Sequence, residues 1–340
     1  MSNEQPLWKK LCRRWFIDAL SAMALGLFSS LIIGLIIKQL AQIPVLSFMV
    51  PFAEVLGASS PVVGSAIGVA IAAGLKHAPL TVYSSAATGA IGYIAGGPVG
   101  AYVAALFGAE ISKLIVGKTR LDILLVPFTT IVCGGIMGTF AGPPVSSLMT
   151  GLGAVINQAT VMQPIPMGII ISVLVGMALT APISSAALCI MLSLSGIAAG
   201  AATVGCCANM VGFAIISYRD NGIGGSLAQG LGTSMLQVAN IIKKPIIWLP
   251  SIIASAILGP LATTVLQMTN NPAGAGMGTS GLVGQINTYI TMSEEGVQVV
   301  EIFLKIGLLQ ILLPGLVTYL IYLFFYKKGW ICDGDMKINV

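Results

Sequence analysis

The residues best suited to hold a ligand form one run, Asn270-Asn271-Pro272-Ala273-Gly274-Ala275-Gly276-Met277-Gly278-Thr279-Ser280-Gly281-Leu282-Val283-Gly284-Gln285. Its glycines allow the backbone to approach a ligand closely. Its amides and hydroxyls offer neutral donors and acceptors. A phosphate-binding Walker loop is excluded, because no Gly-Lys-Ser/Thr ending follows. The run suits a neutral polar or carboxylated solute, with Asn271, Gly276, Thr279, Ser280 and Gln285 as candidate contacts. The competing reading is a tight buried turn without ligand. Asn209 is a further candidate, an amide among Gly, Ala, Val and Cys, and it serves either the solute or interhelical adhesion.

Four other polar features need weighing. Glu54 lies in Pro51-Phe52-Ala53-Glu54-Val55-Leu56-Gly57 with no basic residue within one turn, so it must face water, take a proton or meet a partner from elsewhere. His77, the only histidine, sits at a helix junction, where capping competes with proton relay. Glu110 with Lys113, and Glu301 with Lys305, have the spacing of self-neutralising helix pairs. The cysteines Cys12, Cys133, Cys189, Cys206, Cys207 and Cys332 show no CxxC spacing, which gives no support to a metal site or dithiol chemistry. Nothing pairs a nucleophile with a base, so the expectation is no enzyme, no metal and no cofactor.

These groups must be positioned by elements whose solvent is lipid. Hydrophobic residues make up 56% of the 340 and charged residues 8%, against about 25% charged in a soluble domain. The net charge of +5 is no nucleic-acid signature, since the cations sit at span borders. A span needs roughly 20 apolar residues. About ten are expected, at 17–37, 44–75, 79–97, 99–117, 121–141, 165–181, 184–200, 202–218, 245–268 and 300–326. The second is interrupted by Pro51, Gly57 and Pro61, and reads as one broken helix or two short ones. The basic start followed by an apolar run looks like a signal peptide, but the run is too long and reads as a retained first span. Residues 143–162 suit an interfacial helix. Residues 272–290 are too irregular to face lipid and suit a re-entrant segment.

With residues 1–16 in the cytoplasm, ten crossings place Lys76, Lys118, Arg120, Arg219, Lys243, Lys244, Lys327, Lys328 and Lys337 inside, and Lys38 outside. That is the positive-inside pattern, with both termini and the loop 219–244 cytoplasmic. Glycine rows Gly92-Gly96-Gly100 and Gly134-Gly138-Gly142 allow close helix approach, for packing or for gating. Ser84-Ser85-Ala86-Ala87 is echoed by Ser184-Ser185-Ala186-Ala187, a hint of duplication that chance also explains.

Three stretches carry a resemblance: Pro182-Ile183-Ser184-Ser185-Ala186-Ala187, Gly196-Ile197-Ala198-Ala199-Gly200-Ala201-Ala202-Thr203-Val204-Gly205-Cys206, and Gly274 to Gln285. They resemble the stand-alone EIIC-like membrane proteins of the bacterial sugar phosphotransferase system, a branch that includes proteins labelled toxin regulators. The resemblance implies a homodimer with a scaffold half and a transport half, re-entrant hairpins, an elevator motion, and separate cytoplasmic phosphotransferase subunits. The expected architecture is an all-α polytopic membrane protein with about ten transmembrane helices plus a re-entrant segment. Its parts are a tail 1–16, a scaffold half 17–162, a transport half 163–326 and a tail 327–340. The expected function is transport of a small polar solute, a sugar or small organic acid, in the cell membrane. The alternative is a solute-binding sensor that does not transport.

Overall fold

The computed structural model describes residues 7–41, 44–57, 60–181 and 184–338. The first six residues of the expected tail, and Pro182-Ile183 of the resembling stretch, lie outside them. The described residues are helical with no strand, an all-α polytopic fold as expected. Among the described residues six stretches are long and apolar enough to cross a membrane: α1 (Lys10–Lys38), α4 (Pro79–Ser112), α5 (Asp122–Phe140), α9 (Gly196–Ile216), α12 (Pro245–Val265) and α15 (Val299–Lys327). Shorter apolar helices are α2 (Pro44–Val55), α3 (Pro61–Gly74) and α7 (Pro164–Thr180). The remainder are α6 (Gly142–Met162), α8 (Ser185–Met191), α10 (Tyr218–Leu227), α11 (Val238–Lys243), α13 (Pro272–Ala275) and α14 (Val283–Glu294). The chain divides into two compact units, one to Thr150 and one from Gly151.

In the first unit the interrupted stretch 44–75 resolves into α2 and α3, with Pro61 in the first turn of α3 after the N-cap Ser60. Proline is tolerated there because its missing N–H would have no helical partner. α4 is a hairpin rather than a rod. Gly96 and Gly97 leave helical geometry, Gly97 at φ +60°. A Cβ built on Gly92 would lie 2.6 Å from the Ala104 Cβ, so the two limbs run back against each other. These limbs correspond to the expected helices 79–97 and 99–117. The two glycine rows are spent on each other: a Cβ on Gly138 would lie 3.0 Å from the Gly92 Cα, and one on Gly142 3.2 Å from the Gly100 Cα. They close helix contacts inside this unit.

In the second unit α9 is the buried axis, and α7, α12 and α15 pack around it. Two expectations are corrected here. Residues 184–200 and 202–218 are not two helices. The first is the short α8, the chain breaks at Leu192–Ser195, and α9 then runs unbroken from Gly196. Gly200 and Gly205 sit mid-helix. A Cβ on them would lie 1.8 Å from the Met268 carbonyl oxygen and 1.9 Å from that of Ser172, so they are glycine for packing. The real break is held from α6, where Asn157 accepts from the Ser195 N–H at 3.2 Å and donates to the Ser193 carbonyl at 3.1 Å. The segment 219–244 is likewise not an open loop but α10, a π-turn at Ala228–Gly232, a 3-10 turn at Ser234–Gln237 and α11.

Candidate functional site

The run from Asn270 folds as a broken helical hairpin against the break before α9. Asn270 and Gly196 form an isolated backbone bridge, the Asn270 N–H donating to the Gly196 carbonyl at 3.2 Å. The Asn270 side chain is fully buried. Its Nδ2 donates to Thr203 Oγ1 at 2.8 Å, to Thr288 Oγ1 at 3.0 Å and to the Gly284 carbonyl at 3.2 Å. Its Oδ1 accepts the Asn271 N–H at 2.8 Å. One amide thus ties the incoming strand of the hairpin to α9 and α14. Sequence reasoning passed it over for its neighbour, because adjacent asparagines carry no signal of which side chain turns inward.

Asn271 serves the hairpin itself. Its Oδ1 caps α13 by accepting the N–H groups of Ala273 at 3.0 Å and Gly274 at 3.1 Å. Its Nδ2 reaches Asn287 Oδ1 at 3.0 Å and Thr291 Oγ1 at 3.2 Å. Gly276 lies flat on the start of α8. A Cβ there would come 2.4 Å from the Ser185 carbonyl oxygen, and Ser185 Oγ donates to the Gly276 carbonyl at 2.6 Å. The two interrupted segments therefore meet backbone to backbone.

At the tip Thr279 donates its hydroxyl to the Gly230 carbonyl of the π-turn. Ser280 is half-buried, and Leu282 holds φ +59° although it is no glycine. A bulky residue in that region stores strain of about 1–3 kcal/mol, a mark of functional or switching segments. Gln285, in the first turn of α14, donates from Nε2 to Cys207 Sγ at 3.7 Å, while its buried Oε1 has no partner. A buried unpaired carbonyl oxygen costs about 1–3 kcal/mol. Beside the tip lies a cavity of about 540 Å³, bounded by Thr279 and Leu282, by Val211 and Ile215 of α9, and by Leu231 and Arg219. Its walls are mainly apolar.

Asn209 stands apart from this hairpin. It is fully buried, and its Oδ1 accepts from Trp248 Nε1 at 2.9 Å and Thr180 Oγ1 at 3.1 Å. Its Nδ2 donates to the Gly205 carbonyl at 3.0 Å and to Ser255 Oγ at 3.4 Å. Every polar atom is used, which is the adhesive reading rather than the solute one. Five sequence-predicted residues, Asn271, Gly276, Thr279, Ser280 and Gln285, thus share one hairpin, and only Thr279 borders the cavity.

Glu54 and His77 belong to the first unit. Glu54 is exposed beside a depression of about 390 Å³ that Lys38 also lines, so no buried lone carboxylate arises. His77 has a buried ring whose Nε2 accepts from Arg14 Nη2 at 3.0 Å and lies 3.6 Å from Glu110 Oε1. Glu110 pairs with Arg14 at 2.5 Å and not with the expected Lys113, which is exposed. The Glu301–Lys305 pair forms as expected, at 2.7 Å.

A family model described as "Phosphotransferase system, EIIC" matches residues 17–338. No curated protein and no solved structure matches the chain.

Proposed function

This chain belongs to the phosphotransferase system EIIC family, a family of membrane sugar-transport components, and on that premise we propose that it moves a small polar solute, a sugar or small organic acid, through its second unit by alternating access. The observation that carries the reading is the backbone-to-backbone meeting of two broken helices at Ser185–Gly276 and Gly196–Asn270. Transporters build substrate sites from discontinuous helices, because irregular backbone at membrane depth is tolerated only in protein or beside a cavity. The junction is neutral and rich in amides and hydroxyls, which suits an uncharged solute or one carboxylate held by N–H groups.

In this reading Gln285 and Ser280 contact the solute, and Thr279 latches the tip against Gly230. Asn270, Asn271 and Gly276 hold the hairpin's shape, and Asn209 locks α9 to its neighbours. The strained tip supports a hairpin that moves. An elevator-type homodimer, with both termini cytoplasmic and phosphorylation by separate subunits, completes the proposal. The halves 17–162 and 163–326 act as scaffold and carrier. Purified protein in sealed liposomes should accumulate or equilibrate one labelled sugar or small organic acid from a panel without any other protein. Binding of a panel member with no uptake would replace the transporter by the sensor.

A further inference from the structure

Residues 331–338 do not trail from α15. They form two consecutive turns seated on residues 217–244. The Asp335 N–H donates to the Cys332 carbonyl at 3.2 Å and the Lys337 N–H to that of Gly334 at 3.3 Å. Gly334 adopts φ +91°, where a side chain would be strained. The receptor reads this turn through its backbone. The two carboxylate oxygens of Asp220 accept the N–H groups of Gly334 at 2.8 Å and Met336 at 3.0 Å. Asn221 accepts the Ile338 N–H at 2.8 Å and donates to the Met336 carbonyl at 2.8 Å. Gln237 donates to the same carbonyl at 2.9 Å, and Asn240 to that of Lys337 at 2.9 Å. Two side-chain features add selectivity. Met336 is 1% exposed among Phe213, Ile216, Ile241 and Ile247, and Lys244 Nζ meets Asp335 Oδ2 at 2.5 Å.

The seat is also wired to the hairpin. Gln237 Nε2 donates both to Met336 and, at 2.9 Å, to Gln229 Oε1. Gln229 precedes Gly230, whose carbonyl takes the Thr279 hydroxyl. Only Ile331 and Met336 are buried apolar side chains in the segment, and they must offset the ordering of eight residues. The segment is held chiefly by hydrogen bonds that water replaces on undocking.

We propose that the face formed by Asp220, Asn221, Gln237, Asn240 and Lys244 is a peptide-binding site, filled here by the chain's own residues 331–338 and open to a partner segment that presents a turn with glycine, an acidic residue and a large apolar residue in succession. A partner that displaces 331–338 would act on the π-turn that holds Thr279. The proposal stands whether or not the protein transports.

The test uses full-length protein in lipid nanodiscs and a fluorescent synthetic peptide of residues 330–338. A tethered occupant competes at roughly millimolar effective concentration, so wild-type protein should bind the peptide weakly. The full-length Met336→Asp variant, whose own segment cannot dock, should bind it at least about tenfold more tightly, and should not bind a peptide carrying Asp335→Lys and Met336→Asp. Equal affinity of the folded variant for both peptides would overturn the proposal. If that variant fails to fold, hydrogen exchange on wild-type protein decides. Excess peptide should speed exchange at the amides of Gly334, Met336 and Ile338, and unchanged exchange would overturn the proposal.

Discussion

Asn270 and Thr203, 67 positions apart, share a 2.8 Å hydrogen bond that fastens the broken hairpin to the buried axis of the second unit. Removing the side chain takes one donor from Thr203, Thr288 and the Gly284 carbonyl, which each keep a second hydrogen bond, and leaves the Asn271 N–H without its acceptor. Asn270→Ala should therefore lower stability by about 1–3 kcal/mol. Thermal melting in mild detergent checks this. A melting temperature within error of wild type would mean that the amide does not organise the hairpin.

The Gly276–Ser185 approach predicts a contrast between glycines. Gly276→Ala places a methyl 2.4 Å from a backbone oxygen that cannot swing aside, an overpacking cost of about 1–3 kcal/mol. Gly151→Ala, mid-helix in α6 where a Cβ meets nothing within 4 Å, should be neutral or stabilising by up to about 1 kcal/mol. Parallel melts of the two variants give the comparison, and equal effects would contradict the close contact.

Arg14, not Lys113, neutralises Glu110. Arg14→Met should then cost about 1–3 kcal/mol through the part-buried carboxylate and the His77 nitrogen it leaves behind. Lys113→Met should change little, because its side chain is exposed. Equal effects in melting experiments would restore the helix pair expected from spacing alone.

The Lys244–Asp335 pair gives docking of residues 331–338 a pH dependence. Burial raises the Asp335 pKa, but the Lys244 and Cys332 N–H hydrogen bonds outweigh it and hold the carboxyl below its usual value. A lowered carboxyl favours docking above its undocked pKa, and that gain is lost as pH falls through the docked one. The Asp335 hydrogen bond raises Lys244, so its contribution is present below the undocked ammonium pKa and is lost as pH rises through the docked one. Protection of the Gly334, Met336 and Ile338 amides should stay level between about pH 5 and pH 9 and fall outside that window. Protection that climbs below about pH 4 would contradict the pairing.

Apolarity made the helices legible, and the crowding of Asn, Pro and Gly after residue 269 made the hairpin legible. What escaped depended on partners far away in sequence. The boundary expected between 184–200 and 202–218 fell inside α9, because the backbone oxygens that press on Gly200 and Gly205 leave no local trace in the sequence. The segment 219–244 read as a loop because the amides that order it, Asn221, Gln229, Gln237 and Asn240, find partners partly in residues 336–338. Asn209 stayed open between solute contact and adhesion because sequence cannot show that Trp248 and Thr180 already satisfy it.

If the hairpin holds a solute between the broken helices, Gln285 is the side chain whose loss should be felt first. Its Oε1 has no partner, so Gln285→Leu, similar in size, removes an unsatisfied buried oxygen and should leave the melting temperature equal or higher. If that oxygen serves a solute, the same variant should lose about 2- to 13-fold in affinity and in uptake by proteoliposomes, the loss of one neutral hydrogen bond. Uptake and binding unchanged from wild type, with the fold intact, would contradict the account.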